Sequence, residues 1–133
     1  MRRGLMMAYE LLSFGFLKLA SLSIRDDIRT EFKNCFKKYD LVIGPTTTTT
    51  AYNLTDPMDD PSKSFMDDVL VIPVNMAGLP GLSLPIGFDK ENMPIGMQII
   101  GDSFEEAKIY KLASYIEKKL NLNLNPNRGE DNE

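Results

Sequence analysis

The sequence predicts an α/β chain in which a mixed β-sheet is flanked by helices. Three observations carry that reading. Apolar residues recur with helical period over 5–38 and again over 103–120, and short β-type runs punctuated by Gly and Pro fill the chain between them. The composition, 43% apolar and 26% charged in 133 residues, is that of a globular chain with room for one domain or a piece of a larger one.

Taken in order, the first element is the one most open to misreading. Arg2 and Arg3 precede an apolar run from Gly4 to Ala20, which has the outline of a signal sequence or a short membrane span. Glu10 and Lys18 interrupt it, and each is costly in lipid. At ~100° per residue, Glu10, Ser13, Lys18, Ser21, Arg25 and Arg29 share one side of a helix, while Leu5, Tyr9, Leu12, Phe16 and Leu19 share the other. The pattern continues through Ile24, Ile28, Phe32, Cys35 and Phe36. The expectation is an amphipathic helix from about Leu5 to Lys38, kinked near Ser21–Ser23, with an apolar face broad enough to need a partner surface.

Tyr39-Asp40 ends the helical phase, and Leu41-Val42-Ile43 is a strand stopped by Gly44-Pro45. Thr46 to Thr50 is all threonine, which favours extended backbone and offers hydroxyls either to neighbouring amides or to a ligand. Tyr52 to Ser64 has loop composition. From Val69 to Gly81 continuous hydrophobes are mixed with Pro73, Pro80, Gly78 and Gly81. A central strand does not tolerate that, so this stretch reads as buried irregular chain beside a site. Leu82 to Phe88 reads as a strand, Asp89 to Asn92 as a turn, and Pro94 to Gly101 as the hairpin partner. Ser103 and Glu106 have the spacing of a capping box for a helix whose apolar face is Ile109, Leu112, Ala113, Ile116 and Leu120. Residues 121–133 read as a disordered polar tail.

Absences narrow the chemistry. The chain has no histidine, which removes Ser-His-Asp and Cys-His catalysis by its own residues. Its single cysteine, Cys35, lies in the apolar phase of a helix and reads as a small buried hydrophobe in a reducing compartment. A net charge of −4 gives no excess of cations to hold a nucleic acid. Asp67 and Asp68 stand beside the Gly/Pro-rich stretch, and neighbouring residues there point different ways, so one of them at most faces a given site. A carboxylate at the edge of an apolar cleft suits a substrate ammonium, because a low local dielectric strengthens the pairing; a solvated loop or cap carboxylate is the plain alternative. Ser83, between Leu82 and Leu84 with no base nearby in sequence, reads as a structural strand serine.

The order of these segments resembles the C-terminal portion of the amidase-signature fold. The resemblance rests on Tyr39 to Thr46, Asp59-Asp60-Pro61, Asp68, the run Ile72-Pro73-Val74-Asn75-Met76-Ala77-Gly78-Leu79-Pro80 with Gly81 to Pro85 after it, and Pro94 to Gly101. It is dense from Ile24 to Leu120 and is strongest toward the branch of the family that forms glutamyl-tRNA(Gln) amidotransferases. That resemblance implies a glutaminase subunit, which releases ammonia from glutamine. A B subunit then uses the ammonia, with ATP and magnesium, to convert Glu-tRNA(Gln) to Gln-tRNA(Gln), and a C subunit braces the complex.

The family's nucleophilic serine, its second serine and its lysine lie in a Gly/Ser-rich region that this sequence does not contain. Residues 1–120 are therefore expected to be a segment of an amidase-signature domain, incomplete alone, with no catalytic residue, metal or cofactor of its own. Two substrate-binding positions carry over. Asp68 matches an aspartate that holds the glutamine ammonium. Arg3 matches an arginine that holds the carboxylate, although the residues between Arg3 and Arg25 depart from the family pattern. The implied partners are glutamine, the B and C subunits and the N-terminal amidase portion, with tRNA reached only through the complex and no membrane. The implied location is the cytoplasm or an organelle, either mitochondrion or plastid, and not the exterior. A fragment of another amidase-signature amide hydrolase, and a non-catalytic scaffold module, remain as alternatives. On either account the isolated chain is expected to expose apolar surface.

Overall fold

The structure is a computed structural model and describes residues 4–7, 23–52 and 66–122. Its elements are β1 (Gly4–Met7), α1 (Ser23–Phe36), β2 (Tyr39–Pro45), α2 (Ile72–Ala77), β3 (Gly81–Phe88), β4 (Pro94–Gly101) and α3 (Glu106–Leu120). The strands form one four-stranded mixed sheet in the order β1-β2-β4-β3. β1 runs parallel to β2, whereas β4 is antiparallel to both β2 and β3.

Strand alternation builds two cores from this sheet. Val42 and Ile100, paired across β2 and β4, face Phe32, Cys35 and Phe36 of α1 and Val74 and Ala77 of α2. Leu41, Ile99 and Leu84 face the other way, onto Ile109 and Ala113 of α3. The sheet is thus covered by α1 and α2 on one side and by α3 on the other. Where α3 crosses β4 the approach is close: a Cβ built on Gly101 would lie 3.0 Å from the buried Ile109 Cδ1. Glycine is what lets helix and strand meet there. Cys35 is buried, as its helical phase indicates, and burial pushes its thiol pKa up while the Lys38 charge pulls the other way.

The N-terminal expectation needs correction. Gly4–Met7 is a strand against β2, not the first turn of a helix beginning at Leu5. A short apolar run fits either period, and pairing with β2 satisfies its backbone at a sheet edge. Arg3, the expected kink at Ser21 and most of the expected helix before it lie outside the described residues, as do 123–133 of the tail. The described helix is Ser23–Phe36, where the amphipathic pattern is clearest.

The Val69–Gly81 stretch is more regular than its composition indicates. Pro73 sits in the first turn of α2, where its missing N–H costs nothing. Gly78 ends the helix in the left-handed region at φ 69, its N–H donating to Val74 O at 3.0 Å. Two guanidinium groups from α1 then cover the exposed carbonyls of that helix end: Arg25 Nε donates to Met76 O at 2.9 Å and Arg29 Nε to Ala77 O at 3.3 Å.

The capping box is also corrected. Ser103 caps nothing; its own N–H donates to Asp102 Oδ1 at 2.8 Å, and Phe104 turns the chain with φ 64. α3 therefore starts at Glu106, with Glu105 at its cap and no side-chain capping bond. Phe104 is 93% exposed, and Ile86, Phe88 and Ile95 are also exposed at the far end of the hairpin.

One buried polar side chain ties these parts together. Gln98, 5% exposed in the middle of β4, donates through Nε2 to Pro45 O at 2.9 Å and to Leu70 O at 3.0 Å. Replacing it with leucine keeps the volume and strands both carbonyls. Gln98→Leu is expected to lower stability by about 1–3 kcal/mol, read as a lower urea midpoint at unchanged slope.

Candidate functional site

β2 leaves the sheet at Pro45, and the threonine run that follows arches across the end of the β3–β4 hairpin. It is stitched down on both sides by its even-numbered residues. Thr46 and Ser83 hydroxyls share a 2.6 Å hydrogen bond, and the Thr46 N–H donates to Gly96 O at 3.0 Å. Thr50 Oγ1 donates to Asp89 Oδ2 at 2.6 Å in the hairpin turn. On the opposite side Thr48 Oγ1 donates to Met66 O at 3.3 Å, and the Tyr52 hydroxyl donates to Asp67 Oδ2. Thr47 bonds locally, to Thr49 O.

Beneath this arch is a cavity of about 790 Å³. Its described lining includes Thr46, Thr47, Thr49, Thr50, Tyr52 and Ser83 as hydroxyl bearers, Asp67 as a carboxylate, and Pro85, Pro94 and Gly96 as apolar floor. Gly96 is required by the floor. A Cβ there would lie 3.1 Å from Thr46 Oγ1 and 3.4 Å from Ser83 Oγ, wedging the hydroxyl pair apart. The cavity occupies the end of the sheet face that α1 and α2 leave uncovered.

Electrostatics at the rim follow from these bonds. Asp89 has its carboxyl pKa lowered, first by the Thr50 hydroxyl and then by the backbone N–H groups of Met93 and Glu91, whose distances to Oδ1 are 2.9 and 2.8 Å. Tyr52 has its phenol pKa raised, first because it donates to Asp67, then by burial and by the negative charges of Asp67 and Asp68. The phenol stays protonated and remains a donor.

The aspartates part company here. Asp67 is half-buried and lines the cavity. Asp68, the sequence-based candidate, is exposed on the same helical turn, with its backbone carbonyl accepting from Val71 N at 3.0 Å and its charge reaching Tyr52. Arg3 is not among the described residues. Ser83 is a strand serine, as its sequence setting indicates, and it is also a wall of the cavity. Asp67 is one of the two adjacent carboxylates that the sequence offers; Tyr52 and Gly96 were not singled out by sequence reasoning. Among the described residues no group of His, Cys, Asp and Glu could hold a metal ion, and no helix is long and apolar enough to cross a membrane.

The amidase family profile matches residues 2–110, most of the chain and all of this site. The chain belongs to the amidase family. Within that family, the A subunit of glutamyl-tRNA(Gln) amidotransferase from Bacillus thuringiensis (strain Al Hakam) is 42% identical over 120 residues, 88% of this chain and 25% of that protein. The crystal structure of the corresponding A subunit from Thermotoga maritima superposes with a TM-score of 0.66 at 36% identity, over 72% of this chain and 21% of that one. The structure of 6-aminohexanoate cyclic dimer hydrolase with substrate shares the fold, with a TM-score of 0.60 at 23% identity over 75% of this chain and 23% of that one. The chain thus spans about a quarter of the length of the curated amidase-family relatives it matches.

The Asp89 arrangement sets a pH dependence. Its folded-state pKa is depressed, so the stability it contributes is present above the ordinary carboxylate range and is lost as pH falls through the lowered value. Urea midpoints measured from neutral to strongly acidic pH should fall in that acid window. Asp89→Asn should start lower at neutral pH and flatten that limb.

Proposed function

We propose that this chain is the part of a tRNA-dependent amidotransferase glutaminase that supplies cavity walls and substrate-orienting groups but not the nucleophile. The observation that carries the reading is the 42% identity to the A subunit of glutamyl-tRNA(Gln) amidotransferase over 88% of the chain. The cavity beside the threonine run supports it as a place for a small ligand.

In this reading Asp68 holds the ammonium of glutamine and Arg3 its carboxylate, the latter by a bidentate guanidinium. The serine–serine–lysine machinery comes from the N-terminal amidase portion. Ammonia released there passes to a B subunit, which uses ATP and magnesium to amidate the tRNA-bound glutamyl group, with a C subunit bracing the assembly. Contact with tRNA is made through the complex, and the assembly works in the cytoplasm or an organelle.

The test is ammonia release from glutamine. The chain alone should be inactive, and combined with the N-terminal amidase portion of such a glutaminase it should turn glutamine over. In that combination Asp68→Asn and Arg3→Ala should each raise KM for glutamine roughly tenfold or more, about 1.4 kcal/mol of lost substrate binding. Glutamine hydrolysis by the chain alone, or turnover of other amides but not glutamine by the combination, overturns the reading.

A further inference from the structure

Gln98 is buried in β4, and its amide nitrogen spends both N–H bonds on other segments: one on Pro45 O at 2.9 Å, the other on Leu70 O at 3.0 Å. Pro45 closes β2, and Leu70 lies in the turn that leads into α2. That turn is itself closed. Val71 N donates to Asp68 O at 3.0 Å and Asn75 N to Val71 O at 3.1 Å, so the chain from Asp68 into α2 is one hydrogen-bonded unit.

Asp68 is exposed, and its position is therefore inherited from this turn. Three side chains reach the stretch around it. Thr48 Oγ1 donates to Met66 O and the Tyr52 hydroxyl to Asp67 Oδ2, both at exposed positions where water competes for the same atoms. The third, Gln98, donates from the buried side, where a hydrogen bond is stronger and a carbonyl left without its donor is costly.

We propose that Gln98 is a positioning residue for substrate binding: it ties the Asp68–Val71 turn to β4 and so fixes where the Asp68 carboxylate stands. The role of Asp68 rests on the glutaminase reading; its placement by Gln98 does not. A misplacement of about 1 Å in a binding group costs up to about 100-fold in rate. An ammonium contact is made alike in the bound substrate and in the transition state, so its loss appears in KM with kcat nearly unchanged.

The experiment measures glutamine hydrolysis by the chain combined with the N-terminal amidase portion. Gln98→Leu should raise KM roughly three- to tenfold and leave kcat within about twofold. The double variant Gln98→Leu with Asp68→Asn should have a KM no higher than Asp68→Asn alone, because the first change acts through the second residue. Ile109→Val, on the opposite face of the sheet, also loosens the core but should leave KM unchanged. Hydrogen exchange in the chain itself needs no turnover: the Val71 amide should exchange roughly tenfold faster in Gln98→Leu, relative to the Ala113 amide inside α3. Should Gln98→Leu fail to fold, Gln98→Asn, whose amide is one methylene too short to reach both carbonyls, carries the same cycle.

An unchanged KM in the Gln98 variant overturns the proposal. So does a KM in the double variant equal to the product of the two single effects, or an equal rise in Ile109→Val, which would make the effect one of general stability. A combined enzyme that hydrolyses no glutamine, with Val71 released by Gln98→Leu, would instead fall on the glutaminase reading; with Val71 still protected, the positioning role fails as well.

Discussion

The side-chain amide of Gln98 is the constraint on which the site depends. It lies on the sheet face that α1 and α2 cover in part, and it holds two carbonyls that belong to different segments: Pro45, where β2 ends, and Leu70, just before α2. Gln98 is itself buried, and leaving its amide without acceptors would cost more than one hydrogen bond gains, so these two chain segments meet at it. From Pro45 the threonine arch departs, and from Leu70 the chain runs back to Asp67. The distance across the cavity mouth is therefore set from below, in the sheet. The hydroxyl bonds of the arch refine a geometry that Gln98 has already fixed.

The arch itself turns a repetitive sequence into a directional one. Five identical side chains in a row carry no pattern, yet their hydrogen-bond partners sort them. Thr46 and Thr50 bond to the hairpin, through Ser83 and Asp89, while Thr48 and Tyr52 bond to the turn that carries Met66 and Asp67. The loop is held from two sides without burying an apolar side chain of its own. Threonine suits this because its β-branch stiffens the extended chain while its hydroxyl supplies the bond. The threonine and serine side chains of this wall are uncharged.

Much of the fold was legible because it depends on patterns that tertiary structure does not override. The helical phase of Phe32, Cys35 and Phe36, the hairpin strand over Pro94 to Gly101, and the Asp89 turn all appear where the sequence places them. What escaped is physically distinct. Gly4–Met7 is a strand only because β2 offers it a partner, and nothing within four apolar residues records that partner. Ser103 and Glu106 have the spacing of a capping box, but the left-handed Phe104 between them moves the helix start. Ile72–Ala77 is helical because its proline falls in the first turn and its glycine at the end; composition alone reads the same residues as breakers. At the site, resemblance points to Asp68, and the cavity lining contains its neighbour Asp67 on the same turn.

The hydrogen bonds of the cavity bear on what Ser83 can do. A serine becomes a nucleophile when a base takes its proton. Ser83 instead shares its hydroxyl with Thr46, another hydroxyl of ordinary acidity, and the nearest carboxylate of the lining is engaged by Tyr52. Both bonds consume capacity that a catalytic residue would need free, and Gly96 is required so that the Ser83–Thr46 pair can close. Ser83 on β3 and Gly96 on β4 belong to one sheet with β2, from whose end Thr46 departs, so the wall and the floor of the cavity share one frame.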